Sequence, residues 1–176
     1  LRQQAKEIKF KRRHGMGFLG LGSALTMLKI RYGTFHSNLF TKEISRVMAL
    51  EGWREGLYLS VEKKPAPIFE KSYKLTKFHM SLRPSMKKEG LKVNDVVKSR
   101  VLFTKYSHYM TRVALEDSNL VDYICKYGSR FTHHSSIAPT GTIALSVANN
   151  VSNGIEPSFA HYYSRNIILG NKKTKE

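Results

Sequence analysis

The stretch Ser135 to Leu145, SSIAPTGTIAL, joins a small apolar strand to a hydroxyl-rich turn and then to an apolar helical segment. Pro139 has no amide proton to give a strand ladder, so extended pairing must end there. Gly141 lets the backbone bend, and the apolar run after it suits a short helix, expected over Thr142 to Ala148. A strand feeding a helix through so short a turn is the unit of α/β architecture, which this chain is therefore expected to adopt.

The remainder of the chain supplies mostly helix. Phe40, Ile44, Val47, Leu50, Trp53, Leu57 and Val61 recur at three- and four-residue steps, predicting one long helix over 38–64 with an apolar stripe. Trp53 and Met48 read as core side chains. Pro65 and Pro67 stop that helix. Residues 65–100 are Lys-rich and broken by Gly and Pro, and read as a long connection with one short helix, either an insertion or a functional flap. A further helix is expected over Tyr109 to Tyr127, with Met110, Val113, Ala114, Leu120, Val121 and Ile124 inward and Gly128 as its stop. Beyond the opening unit, Asn153-Gly154 signals a turn and 159–169 a second extended stretch. No repeat is visible, and the strands are few for a complete sheet.

Near the start, Gly15, Gly17 and Gly20 match the G-x-G-x-x-G spacing of a dinucleotide turn. That turn needs a buried strand before its first glycine, and the residues there are KFKRRH. A short strand over 16–21 followed by a helix over 23–29 capped by Ser23 is the better parse, and a Rossmann site is rejected.

Thirty Lys+Arg against thirteen Asp+Glu give a net charge of +17. Such a field draws polyanions: nucleotides, nucleic acid or an anionic surface. The charge is spread over 9–13, 63–105 and the 172–175 tail, not along one helix face. A basic nucleic-acid-binding module is the alternative reading, supported only by this charge and by scattered Tyr and Phe, with no recognised motif. No apolar run reaches the roughly 18 residues a membrane span requires. The lone Cys125 and the absence of a secretory leader pattern place the chain in a reducing, cytoplasmic setting. The opening Leu1 and the closing NKKTKE look like cut ends, so the chain is expected to be a piece of a larger protein.

The turn itself can hold an anion without a lysine. The first amides of a helix starting near Thr140 are unpaired, Gly141 gives close backbone access, and Thr140 and Thr142 add hydroxyls. A Thr-capped helix with a permissive glycine accounts for the same residues with no ligand at all. The Walker pattern is absent. His133 and His134 are adjacent on a strand, so they face opposite sides, and no Cys or carboxylate stands at ligand spacing; no metal site is expected. Glu156, between Ile155 and Pro157, is a positioned acid or a turn residue. No Ser-His-Asp or Cys-His set assembles from local spacing.

Taken together, RRHGMGFLGLGSALTMLKIRYG, MALEGWREGL, HHSSIAPTGTIALSVANNVSNGIEPSFAHYY and KKTKE resemble the large subunit of ribonucleotide reductase, most closely its adenosylcobalamin-dependent (class II) branch. The resemblance covers nearly the whole chain and is weakest over 68–100. It implies a ten-stranded α/β barrel around a finger loop, of which 1–176 would be a C-terminal part of one barrel domain. It implies that Pro139, Thr140, Gly141, Thr142 and Ile143 bind the substrate phosphates, and that Asn153, Gly154, Ile155, Glu156 and Pro157 lie close by. It further implies a ribonucleotide substrate, taken as a diphosphate, and adenosylcobalamin as cofactor. The reaction would use a thiyl radical on the cysteine of an Asn-x-Cys-x-Glu motif and an external dithiol reductant. Cys125 is not that cysteine, because Tyr123 and Tyr127 stand where the motif needs Asn and Glu. No catalytic residue is expected in this chain, and the rest of the barrel would be its partner.

Overall fold

A computed structural model describes residues 1–147, 154–158, 160, 162, 164, 166–169 and 172–175. The chain divides into two compact units: Leu1–Met16 with Glu43–Ser136, and Gly17–Lys42 with Ile137–Glu176.

The first unit opens with α1 (Arg2–Lys11), which buries no residue, and β1 (Arg13–Met16). All four β1 residues are exposed, which is why Arg13 and His14 are tolerated in a strand. β1 lies parallel to β4 (His133–Ser135), and an irregularity between Arg13 and Met16 shifts the register. Gly15 is required there, since a Cβ would fall 2.5 Å from Ser136 Cβ.

The long helix α3 (Phe35–Lys63) forms over nearly the expected span. Its buried face is Leu50, Trp53, Leu57 and Ser60, while Val47 and Val61 at the two sides of the stripe are exposed. Against that face pack Met110 and Val113 of α7 (His108–Glu116), Leu120, Val121 and Ile124 of α8 (Ser118–Tyr127), and Phe131. Each such side chain contributes about 1.5–3 kcal/mol by leaving water, so this cluster is the unit's main source of stability. Trp53 is its centre: its ring lies 4.8 Å edge-on to His134 and 5.5 Å from Phe103, and its N–H donates to Tyr109 Oη at 3.1 Å.

The single helix expected over 109–127 is two helices. Asp117 takes an extended conformation and its carboxylate accepts from the Leu120 amide at 3.0 Å, so the chain stops and restarts there. Periodicity runs through the break because both helices pack the same core. Gly128 closes α8 at φ +78°, as expected, and a Cβ there would lie 2.7 Å from Pro65 Cβ. Ser60 locks the same corner by donating to Gly128 O at 3.1 Å.

Residues 65–100 hold more structure than one helix. A 3-10 turn (Pro67–Glu70), β2 (Ser72–Lys74), α4 (Lys77–Leu82), α5 (Ser85–Lys88) and β3 (Val96–Lys98) follow in order, and α6 (Ser99–Tyr106) begins at once. β2 and β3 pair antiparallel, Tyr73 opposite Val97. Leu75, Met80 and Met86 form a small core with Tyr106. These apolar residues are too widely spaced for a periodic signal; Thr76 nevertheless caps α4 in a reciprocal capping box with His79.

In the second unit, α2 covers Leu21–Met27, two residues earlier at each end than expected, and Gly20 at φ +83° is its cap, not Ser23. Extended structure ends at Met16 and does not run on to Leu21. The opening turn leads into α9 (Gly141–Ser146), and β5 (Asn166–Leu169) pairs antiparallel with β6 (Lys172–Lys175). The described residues thus make a helix-rich α/β chain with three two-stranded sheets. None of the three closes into a barrel.

Candidate phosphate-binding turn and its surroundings

β4 ends at Ser135, and the chain passes through Pro139 to Thr140, which sits at φ 53°, ψ 19°. That left-handed conformation is uncommon for a β-branched residue and costs about 1–3 kcal/mol. It also removes the ordinary cap, because Thr140 makes no side-chain cap hydrogen bond to α9. The first helical bond is from the Ala144 amide to Thr140 O at 2.9 Å. The simple Thr-capped helix is therefore not what the turn forms. Gly141 faces open space, with nothing within 4 Å of a Cβ position, and Thr142 and Ile143 are exposed. An approaching anion would meet backbone and hydroxyls there.

The same unit brings Gly154 to this turn. A Cβ on Gly154 would fall 2.5 Å from Pro139 O and 2.6 Å from Thr140 Oγ1. Only glycine allows the two segments to approach so closely. The Gly20 amide donates to Gly154 O at 2.7 Å, and Tyr32 Oη donates to Ile155 O at 3.0 Å. The segment Pro139–Thr140 thus lies against the segment Gly154–Glu156, although 14 positions separate Thr140 from Gly154 in sequence. Asn153 lies outside the described residues. Nothing local in the sequence marks Gly20 or Tyr32 as site residues: Gly20 reads only as one glycine of the G-x-G-x-x-G spacing, and Tyr32 belongs to no motif.

In the first unit the two histidines diverge as strand geometry requires. His133 is exposed, with Nδ1 3.0 Å from Thr132 Oγ1. His134 is only 2% exposed, and neither ring nitrogen has a hydrogen-bond partner among the described residues. Burial, then the nearby His14 and His133, lowers its pKa below the usual histidine value. It borders a mostly apolar cavity of about 530 Å³, together with Met16, Met48, Gly52 and Phe131. Gly52 is what admits it to α3, because a methyl at that position would overlap the imidazole. Among the described residues no three His, Cys, Asp or Glu side chains converge on a common point. Cys125 lies half-buried on α8, and the rings of Tyr123 and Tyr127 stack with centroids 6.5 Å apart.

The G-x-G-x-x-G glycines are divided between roles that do not make a nucleotide turn. Gly15 lies within an exposed strand and Gly20 caps α2. The family model described as "Ribonucleotide reductase, barrel domain" matches residues 1–175.

The chain belongs to that family.

As a ribonucleotide reductase barrel chain, it falls among the oxidoreductases of deoxyribonucleotide synthesis, with a ribonucleotide as the family's substrate. No helix among the described residues is long and apolar enough to cross a membrane. Trp53, Phe69, Tyr106 and Phe131 are committed to the interior, which leaves those four unable to act as base-stacking platforms.

Proposed function

We propose that this chain supplies the substrate phosphate-binding turn of a ribonucleotide reductase, Pro139, Thr140, Gly141, Thr142 and Ile143 holding the phosphates. The observation that carries the reading is the left-handed Thr140 beside an open Gly141, packed on Gly154. Strain of that kind is kept where surrounding contacts enforce it. Backbone N–H groups and two hydroxyls can then share a phosphate's charge without a lysine, while the field of a +17 chain raises the local concentration of anionic nucleotides. Gly154, Ile155, Glu156 and Pro157, with Asn153, stand near the bound substrate.

By family likeness the substrate is a ribonucleoside diphosphate and the branch is class II. There adenosylcobalamin, when bound, would supply the radical chemistry, and an external dithiol would re-reduce the cysteine pair oxidised in each turnover. The described residues do not by themselves make a corrinoid site: the 530 Å³ cavity is smaller than that group. On this reading 1–176 is part of one ten-stranded α/β barrel domain, and the remaining barrel carries the radical and redox cysteines.

Replacing Thr140 and Thr142 with Val in the complete enzyme removes two hydroxyls at the turn. A loss of roughly 10-fold or more in nucleotide affinity is expected, from about 0.5–1.5 kcal/mol per hydrogen bond. Equilibrium binding of a ribonucleotide measures it directly, and unchanged affinity and turnover would reject the assignment.

A further inference from the structure

We propose that Tyr32 is a positioning residue for the substrate turn. Its hydroxyl, by holding the Ile155 carbonyl at 3.0 Å, keeps Gly154 seated on Pro139 and Thr140. The inference rests on the phosphate-binding reading above and adds a residue to it. Two consecutive carbonyls of one segment are held from separate places. Gly154 O accepts from the Gly20 amide at the cap of α2, and Ile155 O accepts from Tyr32 in the link between α2 and α3. One hydrogen bond would leave the segment free to swing about it; two on successive peptides set both its distance and its rotation.

The rotation matters because the opposing contact has no slack. A Gly154 Cβ would lie only 2.5 Å from Pro139 O and 2.6 Å from Thr140 Oγ1. A tilt of the Gly154 peptide therefore transfers directly to Thr140. That residue already occupies the left-handed region at φ 53°, which it can leave for a more relaxed conformation. Relaxation would turn the Thr140 and Gly141 peptides away from the direction in which they face a phosphate. Tyr32 is itself 40% exposed, and its ring belongs to neither hydrophobic cluster of the described residues. Its hydroxyl is consequently the part of the side chain that carries the effect, and removing it spares the packing.

The test uses the full-length reductase carrying Tyr32→Phe, Thr140→Val or both, with ribonucleotide Kd, KM, kcat and thermal midpoint measured for each. Tyr32→Phe is expected to raise Kd and KM roughly 3- to 10-fold, the range one uncharged hydrogen bond supports. It should change kcat less than about 2-fold, as loss of uniform binding does, and leave the midpoint where it was. In the double variant the two effects should fall short of their product, because both act through the same turn. Wild-type Kd in Tyr32→Phe beside a weakened Thr140→Val overturns the positioning role and leaves the turn assignment standing. Fully multiplicative effects, or a lowered midpoint in parallel with the lost affinity, overturn it as well. If Thr140→Val and Thr142→Val both bind normally, the phosphate reading fails, and the role of Tyr32 with it. Gly154→Ala, which presses on Pro139 O and Thr140 Oγ1 directly, should weaken binding more than Tyr32→Phe; the reverse order also sinks the proposal.

Discussion

His134 illustrates what a single residue can carry. Neither ring nitrogen meets a hydrogen-bond partner among the described residues, and Trp53 presents a ring edge-on at 4.8 Å. A neutral imidazole tolerates that setting far better than a charged one. The folded-state pKa is lowered, so the unfolded chain takes up a proton first as pH falls. Stability is fully present above the ordinary histidine value of 6.5 and declines as pH drops through it toward the lower folded value. His14, Glu51 and Glu55 border the same cavity, and of the surrounding charges His14 and His133 add to the depression. Urea unfolding of the chain between about pH 7 and 5 should show this decline, and His134→Leu should flatten it. A wild-type profile without slope in that window would show that His134 gains a partner in solution. The pairing of His134 with Gly52 was not legible beforehand. A histidine in a strand shows which face it takes, but the partner that accommodates it lies on a helix 82 residues earlier.

At the scale of elements, Asp117 decides the shape of the helical layer. It caps α8 through the Leu120 amide and pairs with Arg54 of α3 at 2.8 Å, and Arg54 also reaches Glu51. Arg54 first, then the Leu120 amide, holds the Asp117 carboxyl below its usual range. Asp117→Ala is expected to cost about 1–2 kcal/mol, mainly from the lost cap. Asp117→Asn keeps a capping oxygen and should cost under about 1 kcal/mol, since the ion pair is half exposed. The depressed carboxyl stabilises the fold above its unfolded value near pH 3.8, and that stability is lost as pH falls below it. Denaturation midpoints of the two variants at neutral pH separate cap from ion pair; equal losses would contradict the division. The sequence contains both signals, Ser-Asn after Asp117 and an unbroken apolar period, and the period masks the stop.

Across the whole molecule, one cysteine limits what the chain can do unaided. Radical abstraction and dithiol reduction draw on at least three thiols in the proposed scheme, and the half-buried Cys125 is the only cysteine in the sequence. The chain alone, supplied with ribonucleotide, adenosylcobalamin and a dithiol, is expected to form no deoxyribonucleotide. Chromatographic detection of product would refute this. With 30 Lys+Arg against 13 Asp+Glu the chain attracts anions generally, and on the proposed reading the turn is what would select a nucleotide.

By itself the sequence determined the kinds of element and their order wherever the signal is local. Apolar period laid down α3, Pro65 ended it, Gly128 closed α8, and Pro139 with Gly141 marked the turn from β4 to α9. These outcomes depend on contacts within a few residues, which is the range over which composition and spacing act. Only the tertiary structure decided the rest: that β1 pairs with β4 across 120 residues, that Thr140 adopts a left-handed conformation, and that Gly20 and Tyr32 hold Gly154 against it. Such contacts are selected by packing between distant segments, where a missing Cβ or one hydroxyl settles the geometry and leaves no periodic trace in the chain.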